Sequence, residues 1–541
     1  MLEERISIHY KLRKTMKRRK FLKTSAALGT AGLAIQGCSS LGKTSSASGD
    51  KFDVHPFIRQ NPKAVFIYLT SVNSITDIAG IRQAGYKLSR EIMVKSPDGF
   101  PMTAKVNIKP NWTGAGPQLQ KGKPSSEIIT PNTDPNFIEG WVAGMKETGP
   151  QNYFIRECCC PTRWEPMGFA AMCARNNIDL RDLSTMDVWT LKKGGDINFI
   201  KIPNGVIFKQ MGYMAPMNEP GSFLINIAKF RSHGMGITVT IKNLQGITAH
   251  RFHQFCTRYD SIRKMPRPAY EVRYHQYFKD DMEKHIEALY AKHLKEGYPR
   301  WDRPGPEGGI WQETWVNRAL DNLSVTKTAL NMIEGVYSQD GQGLPYDTNV
   351  VIFGKDPFSV DNIAFWLAGH EPGNFGLFHI GIERKMSDVL DPRDIPLFIW
   401  KDGHATPAKL DSLKRTPLNT YYLQRDYNGQ KEPRFHLCNE PFDYSSWKKG
   451  TKVSAGKPVI QNLGLDNAGR VNLSLTLPEK EEVGVTILNS HGEVLGKLFD
   501  GDMDAGVHHV VWDNFNSPGL YTIYVKGMGW DAVQEMPINP I

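Results

Sequence analysis

The chain has 541 residues, with 66 Lys or Arg against 56 Asp or Glu and a formal net charge of +10. That length exceeds one ordinary hydrophobic core, so at least two domains are expected. Residues 1–37 carry nine Lys or Arg and two Glu, which leaves only +3 for the rest; with no basic run beyond that segment, nucleic-acid binding is excluded.

The first element is a leader. From Met16, the expected start of translation, the chain reads Lys17-Arg18-Arg19-Lys20-Phe21-Leu22-Lys23, then a mildly apolar run from Ala26 to Ile35, then Gly37-Cys38. A basic head, a short apolar run and a small residue before the processing point make an export signal. The run is too short to span a bilayer, which takes about 20 apolar residues. Arg18-Arg19 with Phe21-Leu22-Lys23 resembles a twin-arginine signal, with Lys17 where Ser or Thr is usual. Ile35-Gln36-Gly37-Cys38 resembles a lipobox. The reading is therefore a lipoprotein: residues 1–37 are the export signal, Cys38 is the lipidation site, and residues 38–55 are a flexible tether. Two or more acyl chains anchor stably, and no later stretch has 18 apolar residues in a row. The membrane is thus the expected partner through the lipid, in the cell envelope on the periplasmic or outer-membrane side. The alternative is an ordinary secretory leader ending by chance near a cysteine.

Six further cysteines follow, Cys158, Cys159, Cys160, Cys173, Cys256 and Cys438. In an oxidising compartment the triplet can supply one disulfide. Three consecutive cysteines match no zinc or iron–sulfur spacing, so no iron–sulfur cluster is expected.

Residues 56–450 mix short apolar runs such as Ala64 to Leu69 with helical stretches such as Asp280 to Glu296, where Met282, Ile286, Leu289 and Tyr290 recur at helical spacing. That alternation predicts an α/β core with a substantially parallel sheet. Trp301, Trp311 and Trp315 flank a Pro/Gly-rich loop from Arg303 to Gly309; such rings either stack on sugars or pack the loop down, and packing is the favoured reading.

The composition changes after Ser454. Val471 to Leu477 alternates apolar and polar, the period of a half-buried strand. Val483 to Leu488, Val507 to Trp512 and Gly519 to Val525 follow, and Asn489-Ser490-His491-Gly492 fits a hairpin turn. These short strands predict an all-β sandwich over residues 455–541. The succession Gly492-Glu493-Val494-Leu495, Gly506 to Asp513 and Gly519 to Val525 resembles the Ig-like module of flagellar hook-capping proteins, which implies an accessory domain.

Three segments carry the core's chemistry. They are Val106 to Trp112 with its Lys109-Pro110-Asn111 ending, Ile225 to His233 leading to Lys242-Asn243-Leu244-Gln245-Gly246, and Asn331 to Gly335 leading to Asp356-Pro357-Phe358-Ser359-Val360-Asp361. In that order they resemble the domain of unknown function 362 family over roughly residues 60–400. Arg231 departs from the family pattern, where Lys is more usual, and so does Asn362, where a small apolar residue is common. Some members carry a ferredoxin-like cysteine cluster, absent from this chain. The resemblance implies a fold and no reaction.

Read by themselves, Lys109, Asn111, His233, Lys242 and Asn243 sit at the ends of apolar runs, where an α/β sheet places its site. Ammonium groups and amide donors suit an anion. Glu334, Asp356 and Asp361 are candidates for a base or for a hard divalent metal. The competing reading makes the Asn residues and acids into caps and the lysines into solvated surface. His250, His253 and Cys256 share one face if helical, a weak soft-metal constellation. No Gly-x-Ser-x-Gly elbow or phosphate-binding loop appears.

The expected protein is an extracytoplasmic lipoprotein, either an enzyme acting on a small or saccharide-derived anion with or without a divalent metal, or a non-catalytic binder of a glycan or anion in a polysaccharide uptake or degradation system, or a scaffold.

Overall fold

The computed structural model describes residues 50–112, 131–157, 164, 167–182, 191–249, 277–299, 301, 308–422, 426–427, 430–431, 435–439, 442–448, 459–465, 470–477, 480–504, 506–513, 519–527 and 530–538.

The core opens with β1 (Lys51–Val54), α1 (Pro56–Gln60) and β2 (Val65–Leu69). Helix α2 (Ile78–Ile92) begins at Asp77, whose carboxylate accepts from the Gly80 amide as an N-cap. The short β3 (Met93–Lys95) and β4 (Phe100–Pro101) pair with β1 in a small antiparallel sheet. Then comes β5 (Lys105–Pro110), followed by α3 (Pro135–Thr148), which Asp134 caps ahead of a first-turn proline. β6 (Asn152–Glu157), α4 (Phe169–Arg175) and β7 (Ile178–Asp182) continue the alternation.

A hairpin of β8 (Ile197–Lys201) and β9 (Gln210–Met214) precedes the long β10 (Phe223–His233), which folds back as β11 (Gly236–Thr238). A single helical turn α5 (Thr240–Asn243) runs into a 3₁₀ turn, Leu244–Ile247. Helices α6 (Met282–Lys295) and α7 (Gly309–Val325) lead to β12 (Leu330–Gln339), β13 (Pro345–Tyr346) and β14 (Val350–Gly354). Helices α8 (Pro357–Leu367) and α9 (Gly376–Glu383) and strands β15 (Leu397–Lys401) and β16 (His404–Pro407) complete the sheet region.

These strands form one 11-stranded sheet in the order β16-β15-β2-β14-β12-β10-β5-β6-β7, with β11 and β13 attached to β10 and β12. The neighbours from β12 to β7 run parallel, whereas β14 runs against both of its neighbours. The parallel stretch is buried on both faces. On one, Ile81, Phe137, Trp141 and Phe169 of α2, α3 and α4 pack with Ile108 and Ile225; α2 and α3 approach so closely that a Cβ on Gly140 would stand 1.9 Å from the Arg82 carbonyl oxygen. On the other, Trp315 and Val316 of α7 and Val360 and Ile363 of α8 pack with Ala228 and Ile333.

From β5 the chain steps to β6 and β7 through helices on the first face, and from β10 it steps the other way to β12 through α7 on the second. The strand order therefore reverses between β5 and β10, and an open α/β sheet places its site beyond the carboxyl ends of the strands at such a reversal.

After β17 (Asp426–Tyr427), β18 (Gln430–Lys431) and α10 (Tyr444–Lys448), the elements among the described residues are all strands. β19 (Val459–Leu465), β20 (Val471–Leu477) and β23 (Gly506–Trp512) make one antiparallel sheet. β21 (Glu481–Leu488), β22 (Val494–Met503), β24 (Gly519–Gly527) and β25 (Trp530–Ile538) make the other. Leu473, Val485, Val510 and Ile523 from the two sheets share one core. Between β21 and β22, Gly492 takes the positive φ the turn needs, and Asn489 Oδ1 accepts from the His491 and Glu493 amides.

Candidate functional site

Polar side chains gather where β5 and β10 end. Lys109, Asn226 and Asn331 are direct partners across β5, β10 and β12, so their side chains share one face at one level. Asn226 Nδ2 donates to Asn331 Oδ1 at 3.1 Å, and Asn331 Nδ2 donates to the Lys355 carbonyl at 2.8 Å. Asn243, brought over this row by α5, joins it. Its Nδ2 donates to Asn226 Oδ1 at 2.8 Å and to the Lys109 carbonyl at 3.0 Å, while its Oδ1 accepts from Lys109 Nζ and Asn111 Nδ2, each at 3.2 Å.

The Lys109 ammonium meets the Glu157 carboxylate of the next strand at 2.6 Å, and both side chains are almost fully buried. Glu157 also accepts from the Trp112 amide. The backbone of the 3₁₀ turn lies on this pair: a Cβ on Gly246 would stand 2.2 Å from Glu157 Oε1 and 2.6 Å from Lys109 Nζ. A larger residue there would have to push both side-chain ends aside. Lys109, Asn111 and Asn243 are thus brought together, but in a closed network where the lysine's charge is already matched. The Oδ1 atoms of buried Asn111 and Asn132 have no partner among the described residues.

His233 and Lys242 lie in a second, more open cluster at the end of β10. His233 is half-buried, its ring edge-on to Trp315 at 4.7 Å between centroids, and its Nδ1 accepts from the Met235 amide. An accepting Nδ1 leaves the proton on Nε2. Burial, then the charges of Lys242 and Arg231, push the imidazole well below its usual pKa, so it is neutral at pH 7. Lys242 Nζ stands 5.8 Å from the Trp315 ring centre. Trp311, half-buried, leans on Trp315 at 5.0 Å.

The three acids are engaged elsewhere. Asp361 accepts from the Thr240 amide at 2.8 Å, the Thr240 hydroxyl at 2.6 Å and the Ile241 amide at 3.0 Å, and so anchors the start of α5. Burial, against those hydrogen bonds, pushes its carboxyl up to about 7. Asp356 is the N-cap of α8, bonded to the Ser359 amide and hydroxyl, with Lys63 at 3.6 Å. Glu334 lies on the opposite face of the sheet, 2.7 Å from Lys229 with both side chains fully buried. The Tyr337 ring covers that ammonium at 3.5 Å, and Tyr337 donates to Asp134, the cap of α3. None of the three faces the His233 cluster in the contacts they make.

One cluster has no counterpart among the residues singled out from sequence. His293 of α6 is held between two carboxylates, Nδ1 at 2.7 Å from Glu313 and Nε2 at 2.6 Å from Glu383. Burial opposes protonation, but the two hydrogen bonds outweigh it and raise the imidazole to about 9, while His293 and Lys292 help draw Glu383 down to about 2. Trp301 Nε1 and Asn317 Nδ2 complete the Glu313 carboxylate. Trp301 and Trp315 are buried in the core. Nothing in the spacing of His293, Glu313 and Glu383 signals this clamp, since the three lie on separate helices.

Cys38, His250, His253, Cys256, Arg303 and the triplet Cys158, Cys159 and Cys160 lie outside the described residues. Cys173 is a buried free thiol, and Cys438 is buried too. Among the described residues no group of three His, Cys, Asp or Glu is placed to hold a metal ion, and no helix is long and apolar enough to cross a membrane.

Residues 106–366 match the family described as "Domain of unknown function (DUF362)", a stretch that holds both polar clusters and the strand reversal between β5 and β10. No curated protein matches the chain.

Proposed function

We propose that the core captures a small anionic ligand at the carboxyl end of β10, beside the reversal in strand order. The observation that carries this reading is His233, a half-buried imidazole kept neutral by burial and by the nearby charges of Lys242 and Arg231. The positive field that these two side chains set up at the ring favours a negative charge brought in beside it. Capture is favoured over chemistry, because Glu334, Asp356 and Asp361 are each committed to structural contacts. The test is a histidine NMR titration of the whole protein with sodium sulfate. An anion beside Lys242 offsets its charge, so the His233 pKa rises as sulfate binds; a His233 titration indifferent to sulfate at millimolar concentration overturns the reading.

We also propose that the protein is a lipoprotein anchored at Cys38 in the cell envelope. What supports this is the basic head, apolar run and Gly37-Cys38 ending of the leader.

A further inference from the structure

On the second face of the sheet, the last turn of α7, the first turn of α8 and the end of α9 meet the β8–β9 loop around a groove of about 640 Å³. A space of that size suits a small molecule, and such sites are mostly apolar with a few polar groups at fixed places. Val206, Leu323, Pro357 and Met386, all half-buried, line it together with buried Phe358. Asp356, on one wall, follows β14, whose last residue Gly354 pairs with Asn331 at the start of β12. Since β10 and β12 run parallel, the groove lies at the opposite end of the sheet from His233.

Three of the four charged residues on its walls are already matched. Asp356 caps α8 and has Lys63 at 3.6 Å, the Glu383 carboxylate accepts from His293 and Tyr298, and the Arg384 guanidinium donates to Asp321 at 2.8 Å. Lys385 is the exception. It is exposed and has no ion pair among the described residues.

The backbone sets this lysine apart as well. Lys385 closes α9 at φ +58°, its amide donating to the Ile382 carbonyl at 2.9 Å while the Met386 amide donates to the Gly381 carbonyl at 2.9 Å. Glycine is the ordinary residue at this position, because it has no Cβ to crowd the carbonyl. Among the described residues, the other non-glycine residues at positive φ are all Asn or Asp, whose short side chains tolerate it. A long charged side chain is therefore kept where the turn itself does not require one.

We infer that the groove binds an amphiphile with one negative charge, a medium-chain carboxylate or a lipid acid of that kind. Its apolar body lies on Leu323, Phe358 and Met386, and its head group meets the Lys385 ammonium. One unmatched cation beside an apolar wall calls for one anionic head on an apolar body. This site is separate from the anion site at His233 and does not depend on it.

The experiment follows the Met386 methyl by NMR in the full chain carrying methyl-labelled methionine, with Met386→Leu to assign the signal. Octanoate, octanol, octyltrimethylammonium and sodium sulfate are added in turn, and urea unfolding is measured on the same proteins. Octanoate shifts the Met386 methyl and binds about tenfold more tightly than octanol, the scale of one charge-assisted hydrogen bond. Lys385→Gly raises the urea midpoint, because it relieves the turn, and weakens octanoate about tenfold; Lys385→Met weakens octanoate equally without raising the midpoint. No Met386 shift with octanoate at millimolar concentration overturns the site. Octanol or octyltrimethylammonium binding as tightly as octanoate, or sulfate alone producing the same shift, overturns the ligand class. A Lys385→Gly variant that is less stable than the parent, or that keeps full octanoate affinity, shows a lysine serving the turn and overturns the inference.

Discussion

Lys109 and Glu157 end neighbouring parallel strands, and their charges meet 2.6 Å apart beneath the backbone of Gly246, nearly out of reach of water. A buried pair of this kind adds little net stability, but removing one partner strands the other charge. Lys109→Met should therefore destabilise the core by on the order of 3–5 kcal/mol, and Lys109→Met with Glu157→Leu should recover most of the loss. Urea unfolding of the three proteins measures this. A Lys109→Met variant as stable as the parent but impaired in sulfate binding would return Lys109 to the ligand site.

Lys242→Met is expected to raise the His233 pKa. Burial still holds the imidazole down, but one of its two cationic neighbours is gone. Because the folded pKa lies below the usual value, this histidine costs stability as pH falls below about 6.5, where the unfolded chain takes up the proton. The variant should show a smaller acid-side loss by thermal unfolding, and an unchanged His233 titration would show that Lys242 is not the charge it feels.

The clamp on α6 titrates at the alkaline end. His293 is raised from 6.5 to about 9, so its contribution is fully present below pH 6.5 and is lost as pH rises through 9. Thermal unfolding between pH 6 and 10 should show a decline that His293→Gln removes. Parallel profiles for parent and variant would mean that the two carboxylates do not hold an imidazolium.

Asp361 anchors α5, the turn that carries Lys242 and Asn243. Its folded pKa of about 7 lies above the usual 3.8, so the folded state binds the proton more tightly and stability through this group falls as pH rises from 3.8 to 7. Asp361→Asn should flatten that slope, and Asp361→Ala, which leaves the Thr240 and Ile241 amides without their acceptor, should cost about 1–2 kcal/mol. Sulfate affinity should fall with it, since Lys242 is no longer held; unchanged affinity would show that α5 keeps its place without the carboxylate.

Cys38→Ala should release the protein from the membrane fraction, because one acylated residue is the whole anchor in the lipoprotein proposal. Persistence of the variant on membranes after a high-salt wash would dismiss that anchor.

Much of the architecture was legible because it depends on local pattern. The alternation from Val471 to Leu477 sends Val471, Leu473, Leu475 and Leu477 into one core, as a period of two requires. The helix read from Asp280 to Glu296 spans Met282–Lys295. Lys109, Asn111 and Asn243 were visible as polar residues at the ends of apolar runs, and they do converge.

Their roles were decided by contacts between segments far apart in the chain. Lys109 reads as an anion-binding cation until β6 pairs with β5 and delivers Glu157, 48 residues on, to its ammonium. Asp361 reads as a base until α8 packs against α5 and turns its carboxylate onto the Thr240 and Ile241 amides. His293 carries no signal in sequence, because its partners come from α7 and α9. Periodicity follows from the backbone's own geometry and can be read along the chain. Whether a charge is a ligand, a cap or half of a buried pair depends on burial and on its nearest opposite charge, and only the packed sheet and its helices set those two quantities.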